Sequence, residues 1–469
     1  MPGNTVHIAG KKIILLQLGS PSSLKLRDIR KYLKEFLLDP RVIDLPRILW
    51  IPILYLFILP FRPRKTQKLY QSIALPDGQL PLVAITEKFK EKVQLHLTSQ
   101  NLNVESAYIL GNKKIADVLD SNPNPSLDSM FIPLFPQYSD TTTASARDAV
   151  TRALGRNPAF SIDHFWSLRA YIDLSVRQIE KFLNQGKVDA LILSFHGLPK
   201  RFVLEKQDPY FEQCYKTYLL LKSKLPTLWQ DKIHLSFQSR FGSEEWLTPS
   251  TIDKAKELAL NGAKNIAVYC PSFVVDCLET LAEIGHELDL EVRPLGAHII
   301  LIPCLNDDDE WAREFAHYLQ ALAHNDRQTL AQMSYSEESA ENIPKVTYKS
   351  QPMGGGEKRT LTLVFFTLFL DLVGFSIIFP LFPALARHYL EHDPNNPFLL
   401  TVFSGMSFLS GHGSEFGRPT LDAQSLVLFG GILGAFYSLL QFLSSPFWGG
   451  LSDRIGRRPI LIMTIGGLA

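Results

Sequence analysis

Cysteine is scarce in this chain of 469 residues: four occur, at Cys214, Cys270, Cys277 and Cys304, and none forms a C-x-x-C pair. So large and cysteine-poor a chain argues against a disulfide framework and points to a reducing compartment. A four-thiolate iron–sulfur site needs tighter clustering, so no such cluster is expected. Net charge is lacking too. Forty-eight basic residues stand against 47 acidic ones, which gives no electrostatic case for nucleic acid as a partner. The amino terminus, MPGNTVHIAGKK, lacks the apolar core of a signal peptide, and the chain is expected to begin in the cytoplasm.

Length exceeds what one core usually serves, so at least two domains are expected. Seven short apolar runs occupy the first part: Lys12–Gly19, Val104–Leu110, Met130–Pro136, Ala190–Gly197, Ile233–Arg240, Asn265–Phe273 and His298–Leu305. Amphipathic helical stretches such as Leu26–Leu38, Glu87–Leu97 and Ser250–Leu260 alternate with them. Nearly continuous apolar strands alternating with helices predict α/β architecture with parallel sheets covered on both faces. Seven strands suggest two sheets, divided near Tyr171–Lys187. Ser20, Tyr138, His196 and Gln238-Ser239-Arg240 sit just after strands, where open α/β sheets bind ligands.

The fourteen residues Ile48–Phe61, ILWIPILYLFILPF with two internal prolines, fall short of the roughly 17–25 that span a bilayer. Two readings stand: a buried helix, or an exposed apolar lip that admits a flat, greasy ligand or rests on a membrane. Residues 325–358 are polar, aperiodic and rich in glycine at their end, which predicts a flexible linker. Beyond it, Leu361–Leu385 carries a single charge, Asp371, and Leu426–Trp448 carries none. Both meet the criterion for a membrane helix.

His196 ends a strand in SFHGLPKRF. A lone histidine is more often structural than catalytic, but Gly197 and Pro199 suggest a tight turn at a cleft, where imidazole can hold metal or accept a proton. In DCLETLAEIGHE, Glu279, Glu283 and Glu287 are spaced i, i+4, i+8, which would align them along one helix face. The stripe reads either as a solvated acidic face or as a ladder of hard oxygen ligands for a divalent cation.

Phrase by phrase, SFHGLPKRFVLEKQDPYFEQCYKT, LSFQSRFGSEEWLTPST, FVVDCLETLAEI and IPCLND resemble bacterial ferrochelatases. LLQLGSP, RKYLKEFLLDPRVIDLP and PLFPQYSDTTT resemble the family's amino-terminal half, so the likeness covers roughly residues 10–322. It implies a chelatase fold of two Rossmann-like halves, 9–175 and 176–324, flanking a porphyrin cleft. It implies insertion of ferrous iron into protoporphyrin IX, with iron and porphyrin as substrates and no prosthetic group. By the family pattern His196 and Glu279 are the catalytic metal-site pair, Glu283 and Glu287 continue an acidic path, and Leu18, Tyr138, Ser194 and Trp246 are candidates for the porphyrin pocket. The chain departs from the family at AYILGN, where Ile109 and Leu110 occupy positions usually filled by arginine and tyrosine. The neighbouring Tyr108 is one residue that would substitute.

GGLSDRIGRRP (Gly449–Pro459) and LDLVGFSIIFP (Leu370–Pro380) resemble major facilitator superfamily transporters. Residues 359–469 are accordingly expected to be a truncated, all-α transmembrane segment, with Asp371, Asp453, Arg454 and Arg457 as its candidate functional residues. Two helices cannot make a complete transporter of two six-helix halves. The expectation is a cytoplasmic catalytic domain tethered to the inner membrane. Rival readings are a chelatase for another metal or tetrapyrrole, such as cobalt or coproporphyrin, and a non-catalytic porphyrin carrier.

Overall fold

The computed structural model describes residues 12–347, apart from 112, 120–128, 187, 241, 243 and 337–342, together with isolated positions between Ala384 and Leu439. All seven expected strands form: β1 (Lys12–Gln17), β2 (Asn103–Tyr108), β3 (Ser129–Pro133), β4 (Ala190–His196), β5 (Ile233–Gln238), β6 (Asn265–Tyr269) and β7 (His298–Leu301). They make two parallel sheets, ordered β2-β1-β3 and β5-β4-β6-β7. The uninterrupted apolarity of the central strands follows from their two buried faces. Ile13 and Leu15 enter one core while Ile14 and Leu16 enter another. Leu191, Leu193 and Phe195 oppose Ile192 in the same way, as a period of two requires.

One core joins the two sheets, because the inward residues of β1, β3, β4 and β6 belong to a single cluster. Its centre is aromatic. Phe89, on the helix Pro81–Leu97 of the first half, stacks on Trp311 at 5.9 Å and meets Phe315 at 5.6 Å. Both partners lie on the Asp309–Ala323 helix at the far end of the second half. Beside this shared core each half keeps one of its own, around Ile14 and Phe131 in the first and Ile192 and Val268 in the second, and Met1–Lys349 form one compact unit.

A smaller cluster lies under the segment that sequence left open. Residues 47–73 are helical throughout, with a π-helical turn at Leu54–Ile58. Trp50, Leu54, Leu59 and Tyr70 pack onto Ile29, Leu33 and Leu37 of the Leu26–Leu37 helix. The other side is bare: Ile48 is 83% exposed, Phe61 72%, and Leu56, Tyr55 and Phe57 lie exposed between them. The segment is an apolar lip rather than a buried helix.

The expected linker begins as structure. A helix covers Arg327–Met333, and Ile343 and Val346 pack on the main core. Among the described residues no helix is long and apolar enough to cross a membrane. The proposed spans, with Asp371, Asp453, Arg454 and Arg457, lie outside the described residues.

Candidate active site

β4 delivers His196 to the edge of a cleft, where it is half-buried. Its Nδ1 lies 2.8 Å from the Gly197 carbonyl oxygen. A carbonyl only accepts, so Nδ1 carries the proton and donates it, leaving Nε2 as the basic nitrogen. The His196 backbone N–H donates to Ser272 Oγ at 3.2 Å, and the Tyr210 hydroxyl meets the same oxygen at 2.8 Å. The Phe273 ring stands edge-on to the imidazole, 6.3 Å between centroids. Burial lowers the His196 pKa and the nearby Glu279 carboxylate opposes that shift. The imidazole is thus neutral at neutral pH, with a carboxylate close enough to steady the imidazolium when it forms.

Glu279 opens a helix, Glu279–Leu288, that is a π-helix rather than the expected α-helix. Such turns recur at functional sites. The acidic ladder persists, because Glu279 and Glu287 both act on Glu283. The end of β5 holds the helix in place from two sides. Gln238 Nε2 donates to the Glu279 carbonyl at 3.0 Å. Ser239, in the left-handed region at φ 66°, turns its backbone N–H and its hydroxyl onto the two oxygens of Glu283, each at 2.6 Å. Those donors favour the carboxylate form, but burial outweighs them, and like charge from Glu279 adds to it, so the Glu283 pKa rises to about 7. Asp276, just upstream, is tied to Asn306 by two hydrogen bonds, 2.8 and 2.7 Å, and accepts from Thr280 Oγ1 at 3.0 Å. The IPCLND phrase thus anchors the start of this helix.

A small pocket opens beside Glu279, with Leu18, Gly19, Tyr32, Tyr70 and Cys277 among its walls. Two glycines bring its floor together. A Cβ on Gly19 (φ +93°) would collide with the Leu110 carbonyl oxygen, and one on Gly111 (φ +85°) with that of Ser20. Burial raises the pKa of both Tyr32 and Tyr70, so their hydroxyls stay protonated.

The structure distributes the sequence candidates unevenly. Leu18 and Glu279 line the cavity, and His196 and Glu283 border Glu279. Trp246 stands across from Pro199 and against Gly197, one residue from His196. Among the described residues its buried indole N–H has no hydrogen-bond partner. Tyr138 is committed elsewhere. Its backbone N–H donates to Gln213 and its hydroxyl to Asp140 at 3.1 Å, and its pKa is pushed up to about 12 by burial. Ser194 is fully buried beneath the strand end, where it binds Gln238 and Thr251 at 2.8 and 2.7 Å. Glu287 completes the ladder, half-buried.

Tyr108 does not stand in for the polar groups missing at 109 and 110. Its hydroxyl donates to Glu87 at 2.8 Å within the fold, while Ile109 and Leu110 add to the apolar packing. Sequence reasoning missed Tyr32, Tyr70 and Cys277. The tyrosines occupy core positions of their helices, where nothing local signals that a ring faces a cavity. Cys277, two residues before Glu279, was within reach of an argument from proximity. All four cysteines are free, buried thiols.

Comparison with known proteins follows the same residues. The family model described as Ferrochelatase matches residues 11–324. A ferrochelatase of Brucella canis is 40% identical over 308 residues, covering 64% of this chain and 87% of that protein. One from Bordetella pertussis is 39% identical over 308 residues, covering 64% of this chain and 84% of that protein.

Proposed function

The chain belongs to the ferrochelatase family, and we propose that it inserts ferrous iron into protoporphyrin IX to form protohaem, the last step of haem biosynthesis. Protoporphyrin must lose two pyrrole N–H protons as the metal enters. His196 Nε2 accepts them one at a time, releasing the first to solvent before it takes the second, because Nδ1 is occupied by the Gly197 carbonyl and the ring is neutral beforehand. Glu279 steadies the imidazolium between transfers. Glu287, Glu283 and Glu279 give the cation a succession of oxygen ligands, which bind a hard divalent ion without the grip of thiolates. Glu283, with its pKa near 7, trades its proton for the cation at neutral pH. Iron stays ferrous, so the reaction needs no electron carrier and no prosthetic group.

The observation that carries this reading is the Nδ1–Gly197 hydrogen bond, which leaves a basic Nε2 on a ring that feels the Glu279 carboxylate in the pocket wall. We place the catalytic unit in the cytoplasm. A membrane tether through residues 359–469 rests on the apolar runs Leu361–Leu385 and Leu426–Trp448. The test is anaerobic incubation of the full chain with ferrous iron and protoporphyrin, followed by the haem absorption bands. His196→Ala is expected to abolish insertion while porphyrin still binds. Insertion at the wild-type rate in that variant would defeat the assignment.

A further inference from the structure

Lys200 lies four residues after His196 and is only 5% exposed. Lysine is almost never so deeply buried unless its charge is paired. Its ammonium reaches the Glu245 carboxylate at 3.1 Å and the Thr347 carbonyl oxygen at 2.8 Å. Through Glu245 it grips the second wall of the His196 turn. The Lys200 backbone N–H donates to the Glu245 carbonyl at 2.8 Å, Leu247 N–H donates to Leu198 O at 2.9 Å, and Trp246 abuts Gly197. Gly197 is the residue whose carbonyl sets the His196 tautomer.

Thr347 lies beyond residue 324, where the family match ends. The chain leading to it is anchored a second time, at Tyr335. Tyr335 N–H donates to the Ser167 carbonyl at 2.8 Å and its hydroxyl to Asp173 at 2.8 Å. The Arg169 guanidinium and the Lys224 ammonium lie over its ring, 4.3 and 4.6 Å from the centroid. Lys224 also pairs with Asp173 at 3.0 Å. Six residues of chain, 337–342, join the two anchored pieces.

We propose that Lys200 is a positioning residue for His196, and that residues 334–336 and 343–347, outside the family domain, are the strap it latches. The strap holds the 197–200 turn against 244–247, and the turn holds the imidazole in its productive orientation. This rests on the reading of His196 as proton acceptor. The test compares Lys200→Met, Lys200→Arg and Tyr335→Ala in the full chain. A misplacement of about 1 Å costs on the order of a hundredfold in rate, so Lys200→Met should lower kcat by about ten- to a hundredfold with the KM for porphyrin nearly unchanged. Lys200→Arg, another cation on the same acceptors, should recover most of it. Tyr335→Ala should lower kcat in the same sense but less. In both weakened variants amide hydrogen exchange over 196–200 and 244–247 should quicken. A wild-type kcat in Lys200→Met, or a change in KM alone, overturns the proposal. If Lys200→Met fails to fold, Tyr335→Ala decides: wild-type kcat and wild-type exchange there also overturn it. If the unaltered chain inserts no iron, the functional reading fails instead, and the exchange rates still decide whether the strap holds the turn.

Discussion

Leu54 and Phe57 lie one helical turn apart in the lip, yet the structure assigns them opposite fates on substitution. Leu54 is 0% exposed and packs among Leu33, Leu37, Trp50, Leu59 and Tyr70, whereas Phe57 is 47% exposed. Leu54→Ala should therefore cost about 2–5 kcal/mol, the usual range for a core leucine. Leu54→Asp should cost more, because a carboxylate in that cluster would have to be buried or protonated. Burying a whole phenylalanine is worth roughly 1.5–3 kcal/mol, so Phe57→Asp forfeits only about 1 kcal/mol of stability. The two aspartate variants should thus differ by more than about 1 kcal/mol in urea melts followed by circular dichroism. If the bare side of the lip borders the porphyrin entrance, Phe57→Asp should weaken porphyrin binding about tenfold, equivalent to about 1.4 kcal/mol, in a protein that remains folded. Equal destabilisation by both aspartates would refute the packing argument. Unchanged porphyrin affinity in Phe57→Asp would refute the placement of the entrance.

Glu283→Gln tests the raised carboxyl. With a folded pKa of about 7 against an ordinary 4.5, the native chain keeps a proton that the unfolded chain loses in that window. The native state is therefore penalised as pH climbs from 4.5 to 7, by about 3 kcal/mol once above it. Measured against wild type, the Gln variant should gain stability by up to that amount between pH 5 and pH 8, while requiring more iron for half-maximal insertion. A stability difference flat with pH would show Glu283 ionised throughout. Gly111→Ala should cost well over 1 kcal/mol, since it adds a collision with the Ser20 carbonyl to a strained positive φ. Gly78→Ala, at φ +81° with nothing within 4 Å, carries the φ strain alone, and equal thermal shifts in the two would remove the close approach as the cause.

The strands and the candidate side chains were legible in the sequence, because each depends on local chemistry. Seven apolar runs announced seven strands, and SFHGLPKRF and DCLETLAEIGHE announced the histidine and the carboxylate ladder. What the ladder's helix would be was not legible, since α and π turns place residues four apart as neighbours alike. The packing between the halves was not legible for a related reason. Alternation of strand and helix marks two sheets, but only packing shows that Trp311 lies on Phe89, more than two hundred residues earlier, and closes one core. The same holds for Ser194, a polar residue at a strand end that turns inward, and for Tyr335 and Thr347, whose polar neighbourhood reads as linker. A residue's periodicity is written in its neighbours along the chain. Whether it meets solvent, a cavity or a distant ammonium depends on surfaces that exist only after the chain has folded back on itself, and these decided the tautomer of His196, the pKa of Glu283 and the burial of Lys200.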